Sequence, residues 1–244
     1  MMNSWPHLSK APVVEGLIDI RVERSPAVTL DVLKVACDEL AAHFPSREEL
    51  RTFTGELSFS PDSGPSFSAQ APAPIGLILR SADQKWVAQF RLDGFTLSRL
   101  QPYTSWEDLK TRAMGLWDKY RTVAQPQKIV RVASRFINRI PLPSGESFEK
   151  TFTTTFSIAA SLPQAVAGFL LRVVIPFENE QSLAIVTQAL RENGQDCTFD
   201  LDAFAETPNG FSESDAWTKL EQLRGVKNRL FFESLTPHAL ESFR

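Results

Sequence analysis

The sequence predicts an α+β fold, with antiparallel, meandering sheets and helices packed on one face. Three observations carry that expectation. Apolar and polar residues alternate with period two in several segments, as in strands with one buried face. Asp93-Gly94 sits between two such segments, a strong signal for a tight hairpin. Apolar positions at helical spacing precede a break after residue 120 and recur in a long helix over 214–234.

In chain order, residues 16–22 alternate cleanly: Ile18, Ile20 and Val22 point one way, Glu15, Leu17, Asp19 and Arg21 the other. Thr29 is placed as a helix N-cap with Asp31 in the first turn, and Leu33, Ala36, Cys37, Leu40 and Phe44 form a stripe that Pro45 ends. Residues 60–76 are rich in Pro, Ser and Ala and are expected to form a long loop. Strands follow at 75–80, 86–92 and 95–100, the first two joined by a turn at Ala82-Asp83. Ser105 caps the next helix, with Asp108 as its capping-box-like partner. Trp106, Leu109, Ala113, Leu116, Trp117 and Tyr120 line its apolar face. Residues 128–140 form a long strand on which Val130, Val132, Phe136 and Ile140 fall at even spacing.

Residues 141–147 are the best boundary, dividing an N-terminal α+β half, 1–140, from a C-terminal half, 148–244; the two also fit one domain. Beyond it, strands are expected at 151–159, 169–177, 183–190 (a segment that fits a helix equally well) and 197–204. The long helix and a short last one starting at Thr236-Pro237 complete the chain. Both halves mix meandering strands with a few helices. This suggests two similar halves, a loose duplication for which no sequence repeat is found.

Apolar residues make up 43% of the 244 and charged residues 23%, enough for a packed core. Eighteen Phe against two Tyr put large rings without a polar handle into that core. The net charge of -3, from 26 basic and 29 acidic residues, gives no global attraction to nucleic acid. Cys37 and Cys197 stand in apolar contexts and read as core residues. The sequence shows neither a basic-then-apolar leader nor an apolar run long enough to cross a bilayer. The expectation is therefore a cytoplasmic protein without membrane contact.

No phosphate-binding glycine loop, dinucleotide fingerprint or nucleophile elbow occurs in the sequence. His7, His43 and His238 have no second ligand at metal spacing, so neither zinc nor a cofactor is expected. Two constellations remain. Asp200-Leu201-Asp202 would put two carboxylates on one strand face, where they could hold Mg²⁺ with substrate phosphates. The plainer reading is a solvated strand face, with Phe199, Leu201 and Ala203 turned inward. Arg131, Arg135 and Arg139 recur at every fourth residue, hence on one face of a strand, and could grip phosphates or carboxylates. Glu15 with Asp19, and Asp200 with Asp202, could instead neutralise the stripe internally, and this ion-pair network is the favoured reading. Asn138 lies on the opposite face, where a buried hydrogen bond is expected. Trp86, Trp106, Trp117 and Trp217 fall at core positions.

Three segments stand out together: Pro12-Val13-Val14-Glu15, Leu97-Ser98-Arg99-Leu100-Gln101-Pro102-Tyr103-Thr104-Ser105-Trp106, and Arg131-Val132-Ala133-Ser134-Arg135-Phe136-Ile137-Asn138-Arg139-Ile140. With the final helix running into Phe232-Glu233-Ser234, they resemble an uncharacterised, sporadically distributed bacterial protein family over nearly the whole chain. The combination of P-x-x-E, Y-x-x-W and R-x-x-x-R-F-x-N-R carries the resemblance. It implies no particular activity. A patchy distribution implies only mobile genes, of the kind found in defence or toxin–antitoxin neighbourhoods.

The first expectation is therefore a non-catalytic intracellular binding protein that recognises another protein, as an antitoxin-like, immunity or defence-system accessory subunit. The alternative is a small anionic ligand or nucleotide-binding domain using Arg131, Arg135 and Arg139 with Glu15 and Asp19. A third reading is an Mg-dependent phosphoryl-transfer or nuclease-like enzyme using Asp200 and Asp202.

Overall fold

The alternating segments assemble into one large antiparallel sheet. A computed structural model describes residues 5–6, 8–52, 55–60, 64–69, 73–142, 147–192 and 194–244. Strand β1 (Val13–Glu23) leads through helix α1 (Leu30–Asp38) to β2 (Ser46–Thr52), then to β3 (Gly55–Ser60) and β4 (Gly64–Ala69). The meander β5 (Ala73–Arg80), β6 (Trp86–Arg91) and β7 (Gly94–Leu100) follows, then α2 (Trp106–Ala124) and β8 (Lys128–Pro141). A 3₁₀ turn at Phe148–Lys150 precedes β9 (Leu170–Phe177), β10 (Ser182–Leu190), β11 (Asp196–Phe211), α3 (Glu213–Ser234) and α4 (Pro237–Glu241).

Nine strands form a sheet in the order β2-β5-β6-β7-β1-β8-β11-β10-β9, while β3 and β4 pair with each other. All the pairings are antiparallel. Outward from the central β1–β8 pair, β7, β6 and β5 follow on one side and β11, β10 and β9 on the other. The sheet is thus continuous across the expected 141–147 boundary, of which residues 143–146 lie outside the described residues.

Register decides which side chains meet. Ile18 pairs with Leu97 and Ser134, and Phe136 pairs with Leu201, so Ile18, Ile20, Phe95, Leu97, Val132, Phe136, Phe199 and Leu201 share one face. All eight are buried. Phe95 meets Trp117 and Tyr120 of α2 at ring-centroid distances of 6.3 and 6.2 Å. Phe199 meets Phe231 of α3 at 6.3 Å. Each ring buried this way contributes about 1.5–3 kcal/mol, and these contacts bind the two long helices to the sheet. Helix α1 packs against α2 and β5.

Helix starts follow local chemistry. Thr29, Ser105, Ser212 and Thr236 each accept a hydrogen bond from a backbone N–H in the first turn of α1, α2, α3 and α4. In the Asp93-Gly94 hairpin, a Cβ on Gly94 would lie 2.3 Å from the Ile20 carbonyl oxygen, so only glycine fits there. The four tryptophans assigned to the core are buried. Cys37 and Cys197 are free and buried, and burial pushes both thiols up to about 12.

Several expectations are corrected. The strand expected at 151–159 is instead an irregular segment that follows the 3₁₀ turn at Phe148–Lys150 and makes one bridge, Phe152 to Leu235. Phe148, Phe152 and Phe156 recur every fourth residue, and Phe148 contacts Phe152, Phe156 and Phe169, so this aromatic cluster overrides strand alternation. Helix α1 stops at Asp38, although Leu40 and Phe44 are still buried beyond it. The long loop expected at 60–76 contains strand β4 and the start of β5; residues 61–63 and 70–72 lie outside the described residues. The ambiguous segment 183–190 is strand β10. No helix among the described residues is long and apolar enough to cross a membrane.

Candidate functional site

On the sheet face opposite Ile18 and Phe136, β8 presents Arg131, Arg135 and Arg139, with roughly 13 Å between successive residues. β1 places Asp19 and Arg21 on one flank, and β11 places Asp196, Asp200 and Asp202 on the other. Asp19 is the hub, at 5% exposure. Its carboxylate accepts hydrogen bonds from Arg131 Nη1 at 2.9 Å, Arg21 Nε at 3.0 Å and Thr96 Oγ1 at 2.6 Å. Arg131 also reaches Asp202 at 3.4 Å and Glu206 at 3.2 Å, and lies over the Phe204 ring at 4.5 Å. Arg135 grips Asp200 with Nε at 2.9 Å and Nη2 at 2.6 Å, a two-pronged contact that raises its own pKa further. Arg139 binds Asp196 at 2.6 Å.

The stripe is therefore neutralised within the sheet, by Asp19, Asp200 and Asp202 as the spacing suggested, and by Asp196, which the sequence reading missed. The Glu15 side chain joins no hydrogen bond or ion pair among the described residues, although its charge favours the protonated Arg135. Asp202 keeps one oxygen buried without a partner, and burial, outweighing Arg131 and Arg135, raises its pKa. A divalent cation at Asp200 and Asp202 would have to displace both arginines. Among the described residues no group of three His, Cys, Asp or Glu is placed to hold a metal. His7 lies outside the described residues.

The same face changes character toward the β9 edge. Pro176 of β9 pairs with Leu183 of β10, and Val174 with Ile185, so Leu170, Val174 and Leu183 project on one side. Their exposures are 72%, 55% and 39%. From the edge inward this face runs mainly apolar, broken by the exposed Arg172 between Leu170 and Val174, then acidic on β11, then basic on β8. No motif marks the apolar end; its only trace in the sequence is that Leu170-Leu171 and Val173-Val174-Ile175 are apolar at consecutive positions instead of alternating.

The segments that carry the family resemblance divide between the two faces. Arg131, Arg135 and Arg139 lie on the paired-charge face. Pro12, Tyr103, Trp106, Phe136 and Asn138 line a cleft on the helix side, with Arg224 and Lys227 of α3. Gly16 makes room there: a Cβ on it would come within 2.8 Å of Phe136 and 3.0 Å of Tyr103. The two rings pack edge to face at 5.2 Å. Asn138 is buried as expected, and its amide bridges strands by donating to the Phe199 carbonyl. Lys227 was not singled out from the sequence, because a lysine within an amphipathic helix carries no distinguishing pattern.

No protein-family model matches the sequence, and no curated protein matches it.

Proposed function

We propose that this chain is a non-catalytic binding protein that recognises another protein through the apolar end of its charged sheet face and the β9 edge. The observation that carries the proposal is the exposed apolar pair Val174 and Leu183 on adjoining strands, with Leu170 beyond Arg172 on the same side of β9. Such side chains gain about 25 cal/mol per Å² when another apolar surface covers them, and contiguous apolar exposure is characteristic of contact sites. As the last strand of the sheet, β9 also offers a backbone edge to which an extended partner segment can add. We infer further that every helix packs on the opposite face, and that the two halves are a duplicated unit. Chain order supports the duplication, since each half runs a three-strand antiparallel meander, β5-β6-β7 or β9-β10-β11, into a long helix, α2 or α3. Such an arrangement leaves the same face free in both halves. An antitoxin-like, immunity or defence-system accessory role needs a surface of this kind.

The test is capture from a lysate of the native host by the immobilised protein, beside a matched Leu170→Glu, Val174→Lys double variant. Both positions are exposed, so the variant should melt with the parent, within about 0.5 kcal/mol. The expected result is a protein held by the parent and lost by the variant. Equal capture by both, or none by the parent, refutes the proposal.

A further inference from the structure

The helix-side cleft is built differently from the charged face. It holds about 630 Å³, within the roughly 300–1,000 Å³ typical of small-molecule sites. Tyr103, Trp106 and Phe136 form aromatic walls. Lys227 Nζ stands 3.9 Å from the centre of the Phe136 ring and makes no hydrogen bond or ion pair among the described residues. The nearby carboxylates are already engaged: Arg224, three residues before Lys227, binds Glu107 at 3.0 Å and Glu221 at 3.7 Å. Burial, with a smaller push from Arg224, lowers the Lys227 amine to about 7.

Asn138 supplies the second unmet group. It is 1% exposed, and its Nδ2 donates to the carbonyls of Phe199 at 3.1 Å and Phe136 at 3.3 Å. Two carbonyl acceptors fix the orientation of the amide, which leaves Oδ1 as a buried acceptor without a partner. An uncompensated cation and an unsatisfied acceptor are both unfavourable in a desolvated setting. Phe136 and Asn138 are neighbours on one face of β8, about 7 Å apart. Lys227 and Asn138 both line the same cleft.

We propose that this cleft binds a small aromatic acid carrying an N–H or O–H donor beside its acid group. The acid meets Lys227, the donor meets Asn138 Oδ1, and the ring lies among Tyr103, Trp106 and Phe136. The site lies on the other side of the sheet from the docking surface proposed above and does not depend on it.

Isothermal titration with three probes tests each part. 2-Aminobenzoate carries ring, acid and donor; benzoate lacks the donor; aniline lacks the acid. The full chain should bind 2-aminobenzoate most tightly, with losses of about tenfold for benzoate and more for aniline, as expected for a neutral and a charge-assisted contact. Lys227→Met keeps the apolar stem, removes the charge and should bring 2-aminobenzoate down to the level of aniline. Circular dichroism confirms that the variant is folded; if Lys227→Met does not fold, the order among the three probes on the parent alone decides. Equal affinity for the three, unchanged binding by a folded Lys227→Met, or no saturable binding of 2-aminobenzoate overturns the proposal.

Discussion

Arg135 and Arg131 show how one residue type on one strand face takes on different energetic weight. Arg131 is largely enclosed among Asp19, Asp202 and Phe204, whereas the Arg135 side chain is 42% exposed while its partner Asp200 is 16% exposed. Exposed pairs contribute about 0.2–1 kcal/mol, and breaking a buried pair costs about 3–5 kcal/mol. Arg135→Ala is therefore expected to cost about 1–2 kcal/mol, between those limits, because it leaves the more buried Asp200 unpaired. Thermal melts should show a drop of a few degrees. Arg135→Lys should recover only part of it, since an ammonium cannot make the two-pronged contact. An Arg135→Ala protein as stable as its parent would mean that the stripe is poised for an external anion. The stripe itself was legible because strand period fixes the face of every side chain. Asp196 was not, because nothing in the sequence says that β11 begins one residue before Cys197, with Asp196 opposite Pro141 and on the same face as Arg139.

Elements with a strong local signal were the legible ones. Helix α2 has a cap, an acidic first turn and an uninterrupted apolar stripe, and its observed span, Trp106–Ala124, follows from them. Ser105→Ala removes the hydroxyl that accepts from the Asp108 N–H at 3.1 Å. It should destabilise the protein by about 1 kcal/mol, while Ser105→Asp, which keeps an acceptor, should not; chemical denaturation of the three proteins checks this. Segments whose conformation depends on distant partners were not legible. Strand β2, Ser-Arg-Glu-Glu-Leu-Arg-Thr, has no apolar alternation and is held by backbone pairing to β5. The 148–156 segment carries its phenylalanines at helical spacing yet is mostly irregular, because the rings cluster with one another and against Phe199. The cleft around Lys227 draws on the N-terminal segment, α2, β8 and α3, so no local window of sequence could reveal it.

The sheet makes the chain a cooperative unit. Strand β8 pairs with β1 along one edge and β11 along the other, with Phe136 set between Gly16 and Leu201. A fragment of residues 148–244 would lack β8, exposing one backbone edge of β11 and the apolar side chains that meet Phe136. It is expected not to fold alone. A cooperative melt of this fragment, followed by circular dichroism, would show instead that the C-terminal half is an independent domain.

The two outer strands of the sheet also differ in chemistry. Strand β2 carries Arg47, Glu48, Glu49 and Arg51, with ion pairs from Arg47 to Asp38 and Arg51 to Glu49. Strand β9 carries Leu170 and Val174 with one charge, Arg172, between them, and its Pro176 cannot donate to a neighbouring chain. Charged side chains on an outer strand discourage further pairing. A sheet with one receptive end and one guarded end terminates its own growth. A second copy joined at β9 about a two-fold axis leaves the two charged β2 margins outermost, so such an assembly closes as a discrete complex and does not run on into a fibre.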